Sequence, residues 1–251
     1  MKAKCFVFLL IAVVVLLAIS FPLHASRMDD ERTELSARQS YIFKTYLQAD
    51  DIKIQSIDGV VTLTGTVSDE SHRSLAEETV ADLPGVKTVD NGLEVKGERP
   101  AENSDVWLTT KVKAILLFHR NVSAMTDVYT KDGIVTLRGE ATSQAQKDLT
   151  TEYAKDVEGI KDVKNEMTVT KTSKKTETVG EKIDDASITA QVKMMLLYHR
   201  STRALKIKVE TKNGVVTLSG RAGNATEKDL ATKFANDVNG VMGVKNLMTI
   251  G

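Results

Sequence analysis

The chain repeats itself three times. IDGVVTLTG (57–65), KDGIVTLRG (131–139) and KNGVVTLSG (212–220) align without gaps. Gly59, Gly133 and Gly214 are each followed six residues later by Gly65, Gly139 and Gly220, and 26 residues later by Gly85, Gly159 and Gly240. Six residues further on stand Asn91, Asn165 and Asn246. Landmarks held at fixed offsets in three copies mark three structural units of about 67 residues each, small but within the range that can fold alone. The expected organisation is unit 1 over 33–99, unit 2 over 104–171, a linker over 172–183 and unit 3 over 184–251.

Within each unit the apolar periodicity predicts helix, strand, strand, helix, strand. Leu108, Val112, Ile115 and Leu116 share one face at helical spacing, as do Ile188, Val192, Met195 and Leu196. Copy one is weaker, with Gln39 and Ser40 in or near that face. Asp-Gly or Asn-Gly then makes the tight turn of a hairpin, because both positions must accept positive φ. The return strand places Val61, Leu63 and Gly65 on one face, with Val135, Leu137, Gly139 and Val216, Leu218, Gly220 as counterparts. Glycine in that row predicts a helix packed closely over the sheet. Asp69, Ser143 and Asn224 are fit to cap the second helix, with Gln146 and Glu227 completing capping boxes. Gly85, Gly159 and Gly240 are expected to end it in a left-handed conformation. The fold class is therefore α+β. Each unit is a three-stranded mixed sheet covered on one face by two helices, with the order of strands left open.

Residues 1–25 stand apart. Lys2 and Lys4 precede a 14-residue apolar run, Phe6 to Ile19, the pattern of a secretory signal peptide cleaved after Ala25. The alternative is an uncleaved inner-membrane anchor, since Phe6 to Leu23 is free of charge. The one cysteine, Cys5, precedes the apolar run, so the exported chain would have no thiol for a disulfide. Formal net charge is zero, against the basic footprint of a nucleic-acid binder. That zero conceals a gradient, with −5 over residues 33–99, balance over 105–171 and +4 over 184–251.

The sequence SDVWLTTKVKAILL, the DG-[VI]-V-T-L-x-G hairpin and the closing V-K-N-x-M-T-V resemble the BON domain of bacterial envelope proteins. The resemblance covers nearly all of the chain after the first 25 residues, and it is strongest for copies two and three. It implies an exported, non-enzymatic module of the periplasm associated with osmotic or envelope stress and with phospholipid attachment.

No catalytic set can be assembled. HExxH, Cys-x-x-Cys and GxSxG are absent, and the glycine spacing belongs to a hairpin, not a phosphate loop. No metal, cofactor or small-molecule substrate is expected. His119 and His199, in LFHR and LYHR, are read as helix C-terminal cations favoured by the macrodipole. Binding has better candidates. AILLF (114–118) and MMLLY (194–198) are more apolar than a two-layer unit requires, so their surplus must meet a neighbouring copy, a membrane or a partner. Trp107, Lys111 and Phe118 form one candidate lipid surface. Arg200, Arg203, Lys206 and Lys208 form another, within a basic stripe that runs from His199 to Lys212. The expected partners are a phospholipid surface or envelope proteins. A holdase-like periplasmic chaperone is the alternative motivated by the apolar runs.

Overall fold

The computed structural model describes residues 27–97, 100–101, 103–122, 126–170, 182–202 and 206–251. The signal segment, most of the linker and Arg203 lie outside the described residues. Unit 1 comprises helix α1 (27–39), α2 (Tyr41–Thr45), the hairpin β1 (Asp51–Ile57) and β2 (Val60–Val67), α3 (Glu70–Ala81) and β3 (Thr88–Val95). Unit 2 runs α4 (Asp105–Phe118), β4 (Asp127–Lys131), β5 (Ile134–Arg138), β6 (Glu140–Ala141), α5 (Gln144–Lys155), β7 (Asp162–Asn165) and β8 (Thr168–Val169). Unit 3 repeats it with α6 (Asp185–Tyr198), β9 (Lys206–Lys212), β10 (Val215–Ala222), α7 (Ala225–Asn236), β11 (Gly243–Asn246) and β12 (Thr249–Ile250).

The second hairpin strand is central in the main sheet of each unit, with β6 and β8 pairing separately in unit 2. β2 pairs antiparallel with β1 and parallel with β3. β5 and β10 repeat this with β4 and β7, and with β9 and β11. The turns have the double positive φ of a type I′ hairpin: 52° and 80° at Asp132 and Gly133, 50° and 74° at Asn213 and Gly214. A carboxylate at the start of each unit's first helix holds this turn from above. Asp105 accepts from the N–H groups of Asp132 (2.7 Å) and Gly133 (2.9 Å), and Asp185 does the same for Asn213 and Gly214. Asp30 serves unit 1, so α1 reaches back past the boundary expected at residue 33. Hydrogen bonds from the N–H groups of Gly133 and Asp132 hold the Asp105 carboxyl below its ordinary value.

Asp69, Ser143 and Asn224 cap the second helices. Each box reaches one residue further back than the simplest form: Gln146 and Glu227 accept from the N–H groups of Thr142 and Gly223. The recurrent asparagine latches helix to strand. Asn246 Nδ2 donates to the Lys228 carbonyl (2.9 Å) and Thr232 Oγ1 (2.7 Å), while its Oδ1 accepts from Met248 N–H (2.9 Å). Asn165 makes the same three bonds.

Two sequence expectations need revision. Gly65 and Gly220 are not required by a helix above the sheet. Their φ values are 114° and 124°, and a Cβ would lie 2.0 Å from the carbonyl oxygen of Asp51 or Lys206 on the adjoining strand. Close strand approach is the cause. The Gln39–Ser40 departure in copy one marks a break, because Ser40 ends α1 and caps α2, with its Oγ accepting from Phe43 N–H.

Candidate functional site

Units 2 and 3 are joined through the ends of their first helices, by contacts that repeat in both directions. His119 bridges to Val238 and His199 to Val157. Arg120 N–H donates to the Asp237 carbonyl, and Arg200 N–H to that of Asp156. The guanidinium of Arg120 donates to the carbonyls of Val238 (2.8 Å) and Val241 (2.7 Å), and that of Arg200 to Ile160 (2.8 Å). Each HR pair thus grips the turn after the second helix of the other unit.

The histidines lie inside this joint. His119 and His199 are 2% and 0% exposed. His119 stacks on Tyr153 of its own unit at 3.5 Å, and His199 on Phe234 at 3.9 Å. The two imidazoles meet edge to face at 5.8 Å. His199 Nδ1 pairs with Asp156 at 2.8 Å, while neither ring nitrogen of His119 has a hydrogen-bond partner. Burial, with His199 and Lys233 nearby, pushes His119 down to about 2. His119 is therefore a buried neutral ring in an interface, not the helix-end cation expected from the sequence.

Unit 1 packs on the same helices. The N–H of Tyr41 donates to Asp184 Oδ2 (2.8 Å) and that of Ile42 to Ser187 Oγ (3.2 Å). Lys193 bridges Glu78 (3.0 Å) and Asp82 (2.8 Å) of α3. Tyr46 meets Phe118 edge to face at 5.6 Å. As a result α6 is buried along most of its length from Ala186 to Tyr198, with Lys193 half-buried and Leu197 left exposed. The apolar runs that raised the chaperone alternative are largely absorbed by this packing.

The predicted site residues scatter accordingly. Phe118 and Lys111 are buried, with the Lys111 ammonium 5.5 Å from the Trp107 ring and 5.8 Å from that of Tyr198. Trp107 is half-buried and its Nε1 is enclosed. Arg200 is committed to unit 2. Lys206 and Lys208 are exposed.

Helices cover one face of each sheet, and alternation puts every second residue on the other. In unit 3 that open face carries Lys206, Lys208, Lys212, Arg221 and Lys245 against one carboxylate, Glu210, which pairs with Lys208. Arg221 lies opposite Lys206 across the ladder, and Thr217 between Glu210 and Lys245. Met242 and Leu247, beside this edge, are 82% and 66% exposed. Unit 1 presents Asp51, Asp90 and Glu94 with Lys53 at comparable positions. Sequence reasoning missed Arg221 and Lys245. Their alternation with buried Val216, Leu218 and Ala222 or half-buried Val244 was visible, but only the strand order shows that they join the β9 lysines. Among the described residues no group of three His, Cys, Asp or Glu could hold a metal ion.

Comparison with known proteins agrees with this architecture. Osmotically-inducible protein Y of Escherichia coli (strain K12) is 37% identical over 143 residues, 57% of this chain and 70% of that protein. The 21 kDa hemolysin of Actinobacillus pleuropneumoniae is 32% identical, over 47% of this chain and 58% of its own. Outer membrane lipoprotein DolP of Haemophilus influenzae is 31% identical, over 44% of this chain and 54% of its own. Among solved structures, CdsD of the Chlamydia trachomatis type III secretion system matches 84% of this chain and 90% of its own at 17% identity, with a TM-score of 0.24, too loose to carry an argument. The BON domain family model matches residues 29–97, 104–171 and 184–251. The three αββαβ units coincide with these matches, and the chain belongs to the BON domain family, as a tandem array of three.

Proposed function

We propose that this chain is a non-catalytic attachment protein of the bacterial cell envelope, exported to the periplasm, that holds anionic phospholipid surfaces through the open sheet of unit 3. The observation that carries the reading is the charge of that face, five cations against one carboxylate, flanked by exposed Met242 and Leu247. A cation near an anionic membrane surface contributes about 1 kcal/mol, and apolar side chains beside it enter the headgroup boundary. In this reading the exposed Lys206 and Lys208 meet the headgroups. The reading does not draw on Trp107, Lys111, Phe118 and Arg200: Phe118 and Lys111 are buried, Trp107 is half-buried beside Lys111, and Arg200 donates to unit 2. The envelope setting is supported by the signal-like residues 1–25 and by relatives named as an osmotically inducible protein and an outer membrane lipoprotein. The first of those names also supports a role in osmotic stress. No helix among the described residues is long and apolar enough to cross a membrane.

The test is co-sedimentation of the chain from residue 26 with vesicles of phosphatidylcholine, with and without 30% phosphatidylglycerol (roughly the anionic fraction that gives such a field). Binding is expected only to the anionic vesicles and should fall steeply with salt. Lys206→Glu with Lys245→Glu should abolish it. Equal binding to both vesicles, or none to either, refutes the reading.

A further inference from the structure

Units 2 and 3 are near-copies joined reciprocally, yet among the described residues only one of their two equivalent helix faces is covered. The face of α6 that carries Ala186, Ala190 and Lys193 is occupied by α3 of unit 1, whose Glu78 and Asp82, one helical turn apart, clasp Lys193. The matching residues of α4 are Val106, Thr110 and Lys113. Val106 is 63% exposed where Ala186 is 8%, and Lys113 stands exposed with no carboxylate bridged to it among the described residues. These three residues form the floor of a groove of about 810 Å³, bounded on one side by Tyr129 and Lys131 of β4 and on the other by Tyr46 and Leu75 of unit 1. The two carboxylates in the groove are already committed to backbone N–H groups, Asp69 as the cap of α3 and Asp105 at the β4–β5 turn.

We infer that this groove receives an acidic amphipathic helix of a partner protein, seated across α4 as α3 is seated across α6, with carboxylates one turn apart on Lys113. The template is internal. The same fold, with the same lysine in the same register, already holds such a helix 80 residues further along the chain, Lys193 being the counterpart of Lys113. The occupant is not this chain's own α3, which is engaged on α6.

The probe is a hydrocarbon-stapled, fluorescein-labelled peptide of residues 69–83, titrated with the chain from residue 26 and read by anisotropy. The staple removes the cost of forming a short helix in water. Saturable binding is expected, weakened at least tenfold by Lys113→Glu. A peptide carrying Glu78→Lys and Asp82→Lys should fail on the natural chain and bind the Lys113→Glu chain. Lys113 is exposed, so the variant should keep the melting temperature of the natural chain, which separates docking from folding. No saturable binding, or binding indifferent to Lys113→Glu, overturns the inference. So does a Lys113→Glu, Val106→Glu chain that loses vesicle binding while keeping the peptide, since the α4 face would then serve lipid. The Lys206 and Lys245 substitutions test the unit 3 face separately.

Discussion

His119 should make the joint between units 2 and 3 acid-sensitive at pH values where carboxylates hardly titrate. The ring is 2% exposed, lies flat on Tyr153, and has no hydrogen-bond partner at either nitrogen. Titratable groups surround it on several elements: His199 of α6 at 5.8 Å, Lys233 of α7, and, at the two joined turns, Asp156 paired with His199 and Asp237 bonded by the Tyr153 hydroxyl. Burial first, then His199 and Lys233, push its value down to about 2 from an unfolded value of 6.5. The folded state therefore binds fewer protons than the unfolded chain, and stability falls as pH drops below 6.5 and on toward 2. At pH 5.0 the loss is about 1.4 kcal/mol per unit over about 1.5 units, or roughly 2 kcal/mol. Asp156 does not confuse this window. Burial pushes it up, but hydrogen bonds from His199 and Ser201 bring it below its ordinary value, so it titrates at lower pH. The assay is urea unfolding by far-ultraviolet circular dichroism at pH 7.5 and 5.0, for the natural chain and for His119→Phe, which keeps a flat ring against Tyr153. The natural chain should lose about 2 kcal/mol more than the variant between the two pH values. Parallel losses, or a His119 ring resonance that titrates near pH 6 in the folded protein, would refute the reasoning.

Three further outcomes follow from packing. Gly220→Ala should cost at least about 2 kcal/mol, because its Cβ would meet the Lys206 carbonyl at 2.0 Å and φ is 124°; a melting curve within a degree of the natural chain would contradict this. Asn246→Ala removes two hydrogen bonds between helix and strand and a third local one to Met248 N–H, and should lower stability by about 2–3 kcal/mol. Asn91→Ala should cost less, since two of its three bonds are longer, at 3.3 and 3.2 Å, and the third goes to exposed Glu77; calorimetry ranks the two. Arg120→Ala with Arg200→Ala should loosen the joint between units 2 and 3, read as faster amide exchange at residues 237–241 and 156–160 with the sheets still protected.

The unit was legible because its determinants are local. An Asp-Gly turn, a capping residue and alternating apolar positions act within a few residues of themselves, and three copies made each signal countable. Packing between copies was not legible, because a residue buried against a neighbour has the same chemistry as one facing a membrane. Phe118 and Trp107 looked like a lipid-facing flank, while the counterpart of Phe118, Tyr198, is buried as well. The histidines misled for a related reason. His-Arg at a helix end suits the macrodipole, and only the position of the other unit shows the arginine reaching across to carbonyls and the imidazole closed in. In the open sheet of unit 3 the lysines of β9 were visible, but Arg221 and Lys245 joined them only once β10 was known to be central.

The choice of α6 over α4 as the seat of unit 1 is itself written in the differences between near-copies. Where α4 has Val106, Trp107 and Thr110, α6 has Ala186, Ser187 and Ala190. Two alanines let α3 approach closely, and the Ser187 hydroxyl accepts the Ile42 N–H at 3.2 Å while donating to Asp184. A tryptophan at that position could not accept that bond, because the indole N–H only donates, and its ring would fill the space that α2 occupies. Asp184 supplies a second acceptor, for Tyr41 N–H at 2.8 Å, where unit 2 has the shorter Ser104. Three substitutions and one carboxylate thus break a two-fold relation that the rest of the joint preserves. They direct the acidic first unit onto the basic third one, and so the unit that carries the excess negative charge neutralises Lys193, while Lys206, Lys208, Arg221 and Lys245 on the open sheet of the same unit stay exposed.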